Sequence, residues 1–192
     1  MTRPTPAQSV RLCGQTLREL VDRGDGDPTR VLPRFVSAIQ RLLEQEELLD
    51  VGISRSGNHA DTSRLLYYEP ELMIVSGSAG GPWAQSAHNH GVWVATALYA
   101  GSMKQQTFRM LEQDAEGRAR VELVEDVDMQ PGDVCVCPPP PHDIHALESS
   151  GGYGMLVVAG GGFSPLRQYY DVARQSYNER SERDGVASSR AF

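Results

Sequence analysis

The stretch Ala87-His88-Asn89-His90-Gly91-Val92-Trp93-Val94-Ala95-Thr96-Ala97-Leu98-Tyr99-Ala100-Gly101 sets two histidines directly ahead of an apolar, β-rich run. Residues i and i+2 of an extended chain project from one face. The imidazoles of His88 and His90 are therefore spaced to meet one ion at about 2.0–2.2 Å. Such a pair needs a third ligand from a neighbouring strand, and Pro141-His142-Asp143-Ile144-His145 offers two, His142 and His145. A lone His-x-His also occurs on solvated surfaces, so the weight lies in the clustering. Of 5 histidines, four fall in these two segments, about fifty residues apart. Gly81 and Gly101 flank the first segment, and Pro131-Gly132 and a proline run precede the second. A shared divalent metal is the expectation.

Outward from this stretch the chain reads as mainly β. From about residue 64, β-rich runs alternate with Gly, Pro and Asp, and strands are expected over 64–68, 71–76, 91–100, 104–112, 119–124, 134–136, 146–147 and 153–158. Runs at this spacing predict a sandwich or barrel. Gln113-Asp114-Ala115-Glu116-Gly117 reads as a loop returning one strand onto the next. Gln130-Pro131-Gly132-Asp133 reads as a type II turn, with Pro second and Gly third. Ahead of the strands, apolar positions at helical spacing predict helices over 7–24 and 31–49, separated by Gly24, Gly26 and Pro28. After Tyr170 the chain turns polar, and a helix or loose tail with a disordered end is expected. A single domain follows: a helical segment over 1–50 packed on a barrel over 51–171, then a tail over 172–192.

Composition excludes several classes. The 192 residues suffice for one core, since a chain of this size buries roughly 70% of its unfolded surface. Hydrophobic residues at 40% and charged residues at 22% are ordinary for a globular domain. The net charge of −7 argues against a nucleic-acid partner, which would need clustered Lys and Arg. No apolar run approaches the ~20 residues of a membrane-spanning helix. The opening Met1-Thr2-Arg3-Pro4-Thr5-Pro6 lacks the apolar centre of a signal peptide, so a cytoplasmic location is expected, with no membrane partner. Three cysteines give no disulfide framework, and Cys135 and Cys137 are expected as reduced core thiols.

The pattern Gly81, His88-x-His90, Gly101, then Gly132, Pro138 and His145 resembles the two cupin motifs, which face each other inside a small antiparallel barrel. On that resemblance His145 is the third ligand. Most cupins add a glutamate ligand four or five residues after the second histidine, whereas Val94 and Ala95 stand there. A three-histidine site without the carboxylate resembles the thiol dioxygenases, the family of cysteine dioxygenase and 3-mercaptopropionate dioxygenase. Further matches to that family are His88-x-His90-x-x-Trp93, Asp143-Ile144-His145, Arg64-x-x-x-Tyr68-x-Pro70, and Gly160-Gly161 followed by Leu166-Arg167-x-x-Tyr170-Asp171. The resemblance covers residues ~60 to 171.

The resemblance implies iron(II), with nickel or manganese as alternatives, and a small thiol and O2 as partners. The thiol binds through sulfur and is converted to a sulfinate. Three neutral imidazoles suit this chemistry, because the thiolate supplies the negative charge that an ordinary facial triad takes from its carboxylate. Arg64 and Arg167 match positions near the family's carboxylate-binding arginines, and guanidinium is the natural bidentate partner for such a group. Arg109 belongs to a later strand. Trp93, Gln105 and Gln106 are candidates to line the pocket, with core packing the stronger role for Trp93. His59 reads as a solvent residue.

The family's Ser-x-His-x-Tyr triad is missing: aligned on Gly160-Gly161, its places hold Met155, Val157 and Ala159. Ala95 stands where the animal enzymes carry the cysteine of their Tyr-Cys crosslink. Without the triad tyrosine, a donor beside the metal has to come from elsewhere, and Tyr67, Tyr68, Tyr99, Tyr153 and His142 are the candidates. The expected function is iron-dependent oxygenation of a thiol such as cysteine or 3-mercaptopropionate. The alternatives are a cupin oxygenase or isomerase of a non-thiol substrate, and a non-catalytic ligand-binding cupin. A monomer or a homodimer is expected.

Overall fold

The computed structural model describes residues 4–55 and 60–181. Helix α1 spans Pro6–Arg23 and α2 spans Leu32–Leu43. Thr5 and Gln8 cap the start of α1 reciprocally, each side chain bonding the other's backbone N–H, which satisfies donors that a helix start leaves without partners. Twelve strands follow in two sheets. They are β1 (Ile53–Ser54), β2 (Thr62–Glu69), β3 (Leu72–Ala79), β4 (Trp83–His88), β5 (Val94–Gly101), β6 (Met103–Gln113), β7 (Ala119–Met129), β8 (Val134–Cys137), β9 (Ile144–Ser149), β10 (Tyr153–Ala159), β11 (Leu166–Asp171) and β12 (Ser176–Ser181). The first sheet runs β1-β2-β3-β10-β5-β8 and the second β12-β11-β4-β9-β6-β7, with every pairing between these strands antiparallel. The mainly β architecture with two opening helices expected from the sequence is the one found.

The two sheets are covered differently. Leu17 of α1 and Phe35 and Ile39 of α2 share one core cluster with Ala95 and Ala97 of β5 and Leu156 and Val158 of β10. The helices thus cover the outer face of the first sheet. Alternate residues of the same strands, Val94, Val157 and Ala159, belong to a different apolar cluster on the inner side. Strands buried on both faces read as continuous apolar runs, which is why β5 and β10 stand out in the sequence. Among the described residues no helix covers the second sheet, and β7 exposes most of its residues.

Three features differ from expectation. β4 and β11 escape a hydrophobic-run reading because in Trp83-Ala84-Gln85-Ser86-Ala87-His88 and Leu166-Arg167-Gln168-Tyr169-Tyr170-Asp171 the large apolar side chains are interrupted by polar and small ones. Residues 176–181, expected as helix or loose tail, form β12, paired with β11 over its whole length. The strand expected from residue 91 begins at Val94, because Gly91, at φ 75°, sits in a turn. The positions of His59 and of residues 182–192 lie outside the described residues. The three cysteines are free and buried, as expected.

Candidate metal centre

Three histidines converge inside the barrel. His88 ends β4 and His145 lies on β9, and the two are register partners. His90 is two residues past β4, in the turn before β5. The i, i+2 argument therefore holds only for His88 as a strand residue; backbone contacts beyond the strand place His90. The Oδ2 atom of Asp143 accepts from the backbone N–H of His90 at 2.9 Å and of Gly91 at 2.7 Å. The carbonyl of His90 accepts from Ser164 N at 2.9 Å. Asp143 is fully buried; burial pushes its carboxyl up, and the two N–H donors oppose that shift.

The Nε2 atoms of His88 and His90 are 3.0 Å apart, as are those of His90 and His145. Two nitrogens each about 2.1 Å from one ion and at a right angle about it stand about 3.0 Å apart. The spacing of these two pairs therefore fits neighbouring positions about an octahedral ion, and all three ligand atoms lie within 4.8 Å of one another. His88 has Nδ1 2.9 Å from the carbonyl of Ser86, so Nδ1 carries the proton and Nε2 presents its lone pair to the centre. The ring of Tyr169 stacks on His88 at 5.7 Å. All three imidazoles are buried. Burial, with the charges of its neighbours His88, Arg167 and His145, holds His90 well below its ordinary value. Burial and Arg167 push His145 down to about 3. Neutral imidazole is the form that ligates metal. The group offers three ligand atoms and no carboxylate; Val94, at 0% exposure, packs instead against Met73, Val75, Cys137 and Ala159.

A cavity of about 90 Å³ opens beside His90 and His145. Its first-sheet wall carries Met155 and Val157, two of the places where the resembling family has polar groups, and Ala159 is buried next to them. The polar side of the cavity comes from Arg167, Gln85, Ser63 and Arg55. Arg167, on β11, is 3% exposed and lies over the ring of Phe163, 5.0 Å away; that ring in turn contacts His90.

Other expected site residues lie elsewhere. Arg64 alternates with the inward-facing Ser63 on β2, and its Nη1 donates to the carbonyl of Gly52 at 3.4 Å; it does not line the cavity. Trp93 sits on the helix side, edge-on to Phe35 at 5.4 Å, so of its two expected roles packing prevails. Tyr68 is exposed. Tyr99 donates to the carbonyl of Gln45, beyond α2, at 3.0 Å, and Tyr67 donates to Glu69. None of these three rings lines the cavity, so none is a donor there. Gln105 lies against the thiol of Cys137 at 3.7 Å, while Gln106 bonds Asp126 and Arg109 pairs with Glu122 at the surface. His142 is half-buried and outside the three-histidine group. Of the candidate donors, Tyr153 lines the cavity.

Sequence reasoning missed Asp143, Arg55, Ser63, Trp83, Gln85 and Phe163. For Asp143 the signal was present in Asp143-Ile144-His145 but carried no role, because its partners are backbone N–H groups. Trp83 and Gln85 were hidden because β4 itself was.

No protein-family model matches the chain, and no curated protein matches it. Solved structures similar to it include a cupin superfamily protein from Desulfitobacterium hafniense DCB-2, at 21% identity and TM-score 0.38, covering 50% of this chain and 73% of that one. A double-stranded β-helix protein from Klebsiella pneumoniae subsp. pneumoniae MGH 78578 is 16% identical with TM-score 0.42, covering 60% of this chain and 91% of that one. A hydroquinone 1,2-dioxygenase from Sphingomonas sp. TTNP3 is 12% identical with TM-score 0.40, covering 51% of this chain and 64% of that one. The likeness is one of fold class; the site is read from this chain's own residues.

Proposed function

We propose that this protein is an iron(II)-dependent dioxygenase that places both atoms of O2 on the sulfur of a thiol. The observation that carries the reading is the set of three buried imidazoles, with His90 Nε2 3.0 Å from the Nε2 atoms of both His88 and His145, and the buried Val94 where a fourth, carboxylate ligand would stand. When bound, iron(II) supplies adjacent open positions for a thiolate and O2 and the electron exchange between them.

The residues of the chain do the rest. His88, His90 and His145 hold the ion without neutralising its charge, and Arg167 adds a further positive charge close enough to depress both His90 and His145. A site with that excess favours an anion, so it binds thiolate over thiol and promotes loss of the S–H proton. Met155 and Val157 exclude water from the reacting sulfur. Asp143 fixes the turn that carries His90. The overall reaction, RSH + O2 → RSO2⁻ + H⁺, breaks the O–O and S–H bonds and forms two S–O bonds. Sulfur loses four electrons and the two oxygen atoms gain them, so no further reductant is required.

The apolar wall also favours a second reading, oxygenation or isomerisation of a non-thiol substrate, because it offers no hydrogen-bond donor at the places where the resembling family carries its triad. Oxygen-electrode measurements on protein loaded anaerobically with iron(II), followed by mass spectrometry, separate the two. The proposal expects O2 uptake that depends on thiol and a product 32 mass units heavier. Absence of thiol-dependent uptake in iron-loaded protein overturns it.

A further inference from the structure

Two hydrogen-bond donors stand without partners in the wall of the same cavity. The hydroxyl of Tyr153 and the indole Nε1 of Trp83 are both buried and bond nothing among the described residues, both residues line the cavity, and their ring centroids are 5.1 Å apart. Tyr153 is 4% exposed. A buried donor left without an acceptor is destabilising, and native proteins leave few of them. Two side by side, in the wall of a cavity, mark the place where a ligand's acceptor sits. Burial pushes the Tyr153 phenol up, so it stays a neutral donor.

Strand register fixes how far this pair is from the histidines. On β9, His145 faces His88 of β4, and Ser149 faces Trp83; the four-residue step from His145 to Ser149 amounts to roughly 13 Å of strand. On β10, Val157 faces Val75 and Tyr153 faces Ala79. Between the two ends the inner wall is apolar, with Leu147 on one sheet and Met155 and Gly77 on the other. Arg55 lines the cavity as well, and none of the described lining residues is Asp or Glu; the acid whose charge reaches Tyr153, Asp61, has its Oδ2 accepting from the backbone N–H of Gly80 at 2.7 Å.

We propose that Tyr153 and Trp83 form a distal subsite that binds the terminal carboxylate of an extended substrate, whose other end reaches the three histidines across an apolar chain of about six carbons. This rests on the thiol reading for the metal-binding end only. Gly77 governs the passage: a Cβ there would meet Ala60 at 3.4 Å and Met155 at 3.9 Å, so a methyl fits and a larger side chain narrows the corridor between the two ends.

The test is calorimetric titration of the iron(II)-loaded protein under argon with 6-mercaptohexanoate, 3-mercaptopropionate, hexane-1-thiol and adipate, which keeps the distal carboxylate but replaces the thiol. The proposal expects 6-mercaptohexanoate to bind at least tenfold tighter than 3-mercaptopropionate or hexane-1-thiol. Tyr153→Phe should weaken 6-mercaptohexanoate roughly two- to tenfold, the effect of one hydrogen bond, and leave 3-mercaptopropionate and hexane-1-thiol unchanged. Gly77→Val should weaken the six-carbon ligands and spare 3-mercaptopropionate. If the thiols do not bind but adipate does, and its affinity falls in Tyr153→Phe, the subsite stands and the thiol reading falls. If thiols bind or are oxidised and Tyr153→Phe affects long and short ligands alike, the subsite falls and the thiol reading stands. Failure of every six-carbon ligand to bind overturns the subsite.

Discussion

The two sheets of this barrel divide the work. The second sheet, with no helix over it among the described residues, carries His88, His145, Arg167, Gln85 and Trp83. The first sheet lies between the helices and the cavity, and gives the cavity Val75, Met155 and Val157, with Tyr153 at its far end. One sheet holds the chemistry and the other holds the fold. The difference teaches that two of the ligands, His88 and His145, and the buried Arg167 act from one wall, while the facing wall is apolar at Val75, Met155 and Val157 and polar at Ser63, Ser76 and Arg55.

The comparison breaks first if the two walls respond alike to truncation. His145→Ala, on the second sheet, should weaken iron(II) binding by more than about a hundredfold, since ligand loss should exceed the 10–100-fold effect of losing a residue that only orients a ligand. Leu156→Ala, on the helix-facing side of the first sheet, should cost about 2–5 kcal/mol of stability in urea unfolding and leave iron affinity near wild type. A reversed pattern would end the division of labour.

Next in size is Asp143→Asn. An amide accepts less strongly than a carboxylate and brings donors where two backbone N–H groups already point. Iron affinity should fall about 10–100-fold, measured by competition with a chelator, although all three histidines remain. An unchanged affinity would show that the turn carrying His90 holds its shape without Asp143.

Legibility in the sequence followed the same division. β5 and β10 were visible as apolar runs because both faces are buried, and the histidine pairs were visible because so few histidines occur elsewhere. β4, β11 and β12 were not, since strands with one wet face can be built from small and polar residues. The site suffered accordingly: the histidines could be paired across fifty residues, but Trp83 and Gln85 could not be placed without β4. Arg64 and Arg167 looked equivalent as guanidinium groups near matching motifs. Only the pleat of β2, which turns Ser63 inward and Arg64 outward, distinguishes them.

A third effect is set by pH. Burial lowers His90 and His145 in the folded, metal-free protein below the ordinary value of about 6.5 that they regain on unfolding. The unfolded chain therefore binds protons first on acidification, and stability falls as pH drops below about 6.5 toward the folded value, which for His145 is about 3. Between pH 7 and 5 the metal-free protein should lose about 1–2 kcal/mol per buried imidazole, read from urea midpoints, and the slope should shrink in His145→Ala. A flat profile would mean that the imidazoles are hydrated before metal binds.

The smallest effect sharpens the contrast between the arginines. Arg64→Ala should leave thiol affinity within about twofold, because its guanidinium bonds the Gly52 carbonyl at 3.4 Å and does not line the cavity, and such exposed contacts contribute little. Arg167→Ala should weaken thiol binding and leave iron binding in place. Equal losses would put Arg64 back beside the substrate.

X-ray absorption at the iron edge of the iron(II)-loaded protein, before and after a thiol is added under argon, tests the central claim most directly. The account predicts about three imidazole rings around each iron in both samples, and one sulfur at bonding distance only after the thiol is added. Iron that binds with fewer than two imidazoles, or that gains no sulfur from any thiol, would contradict it.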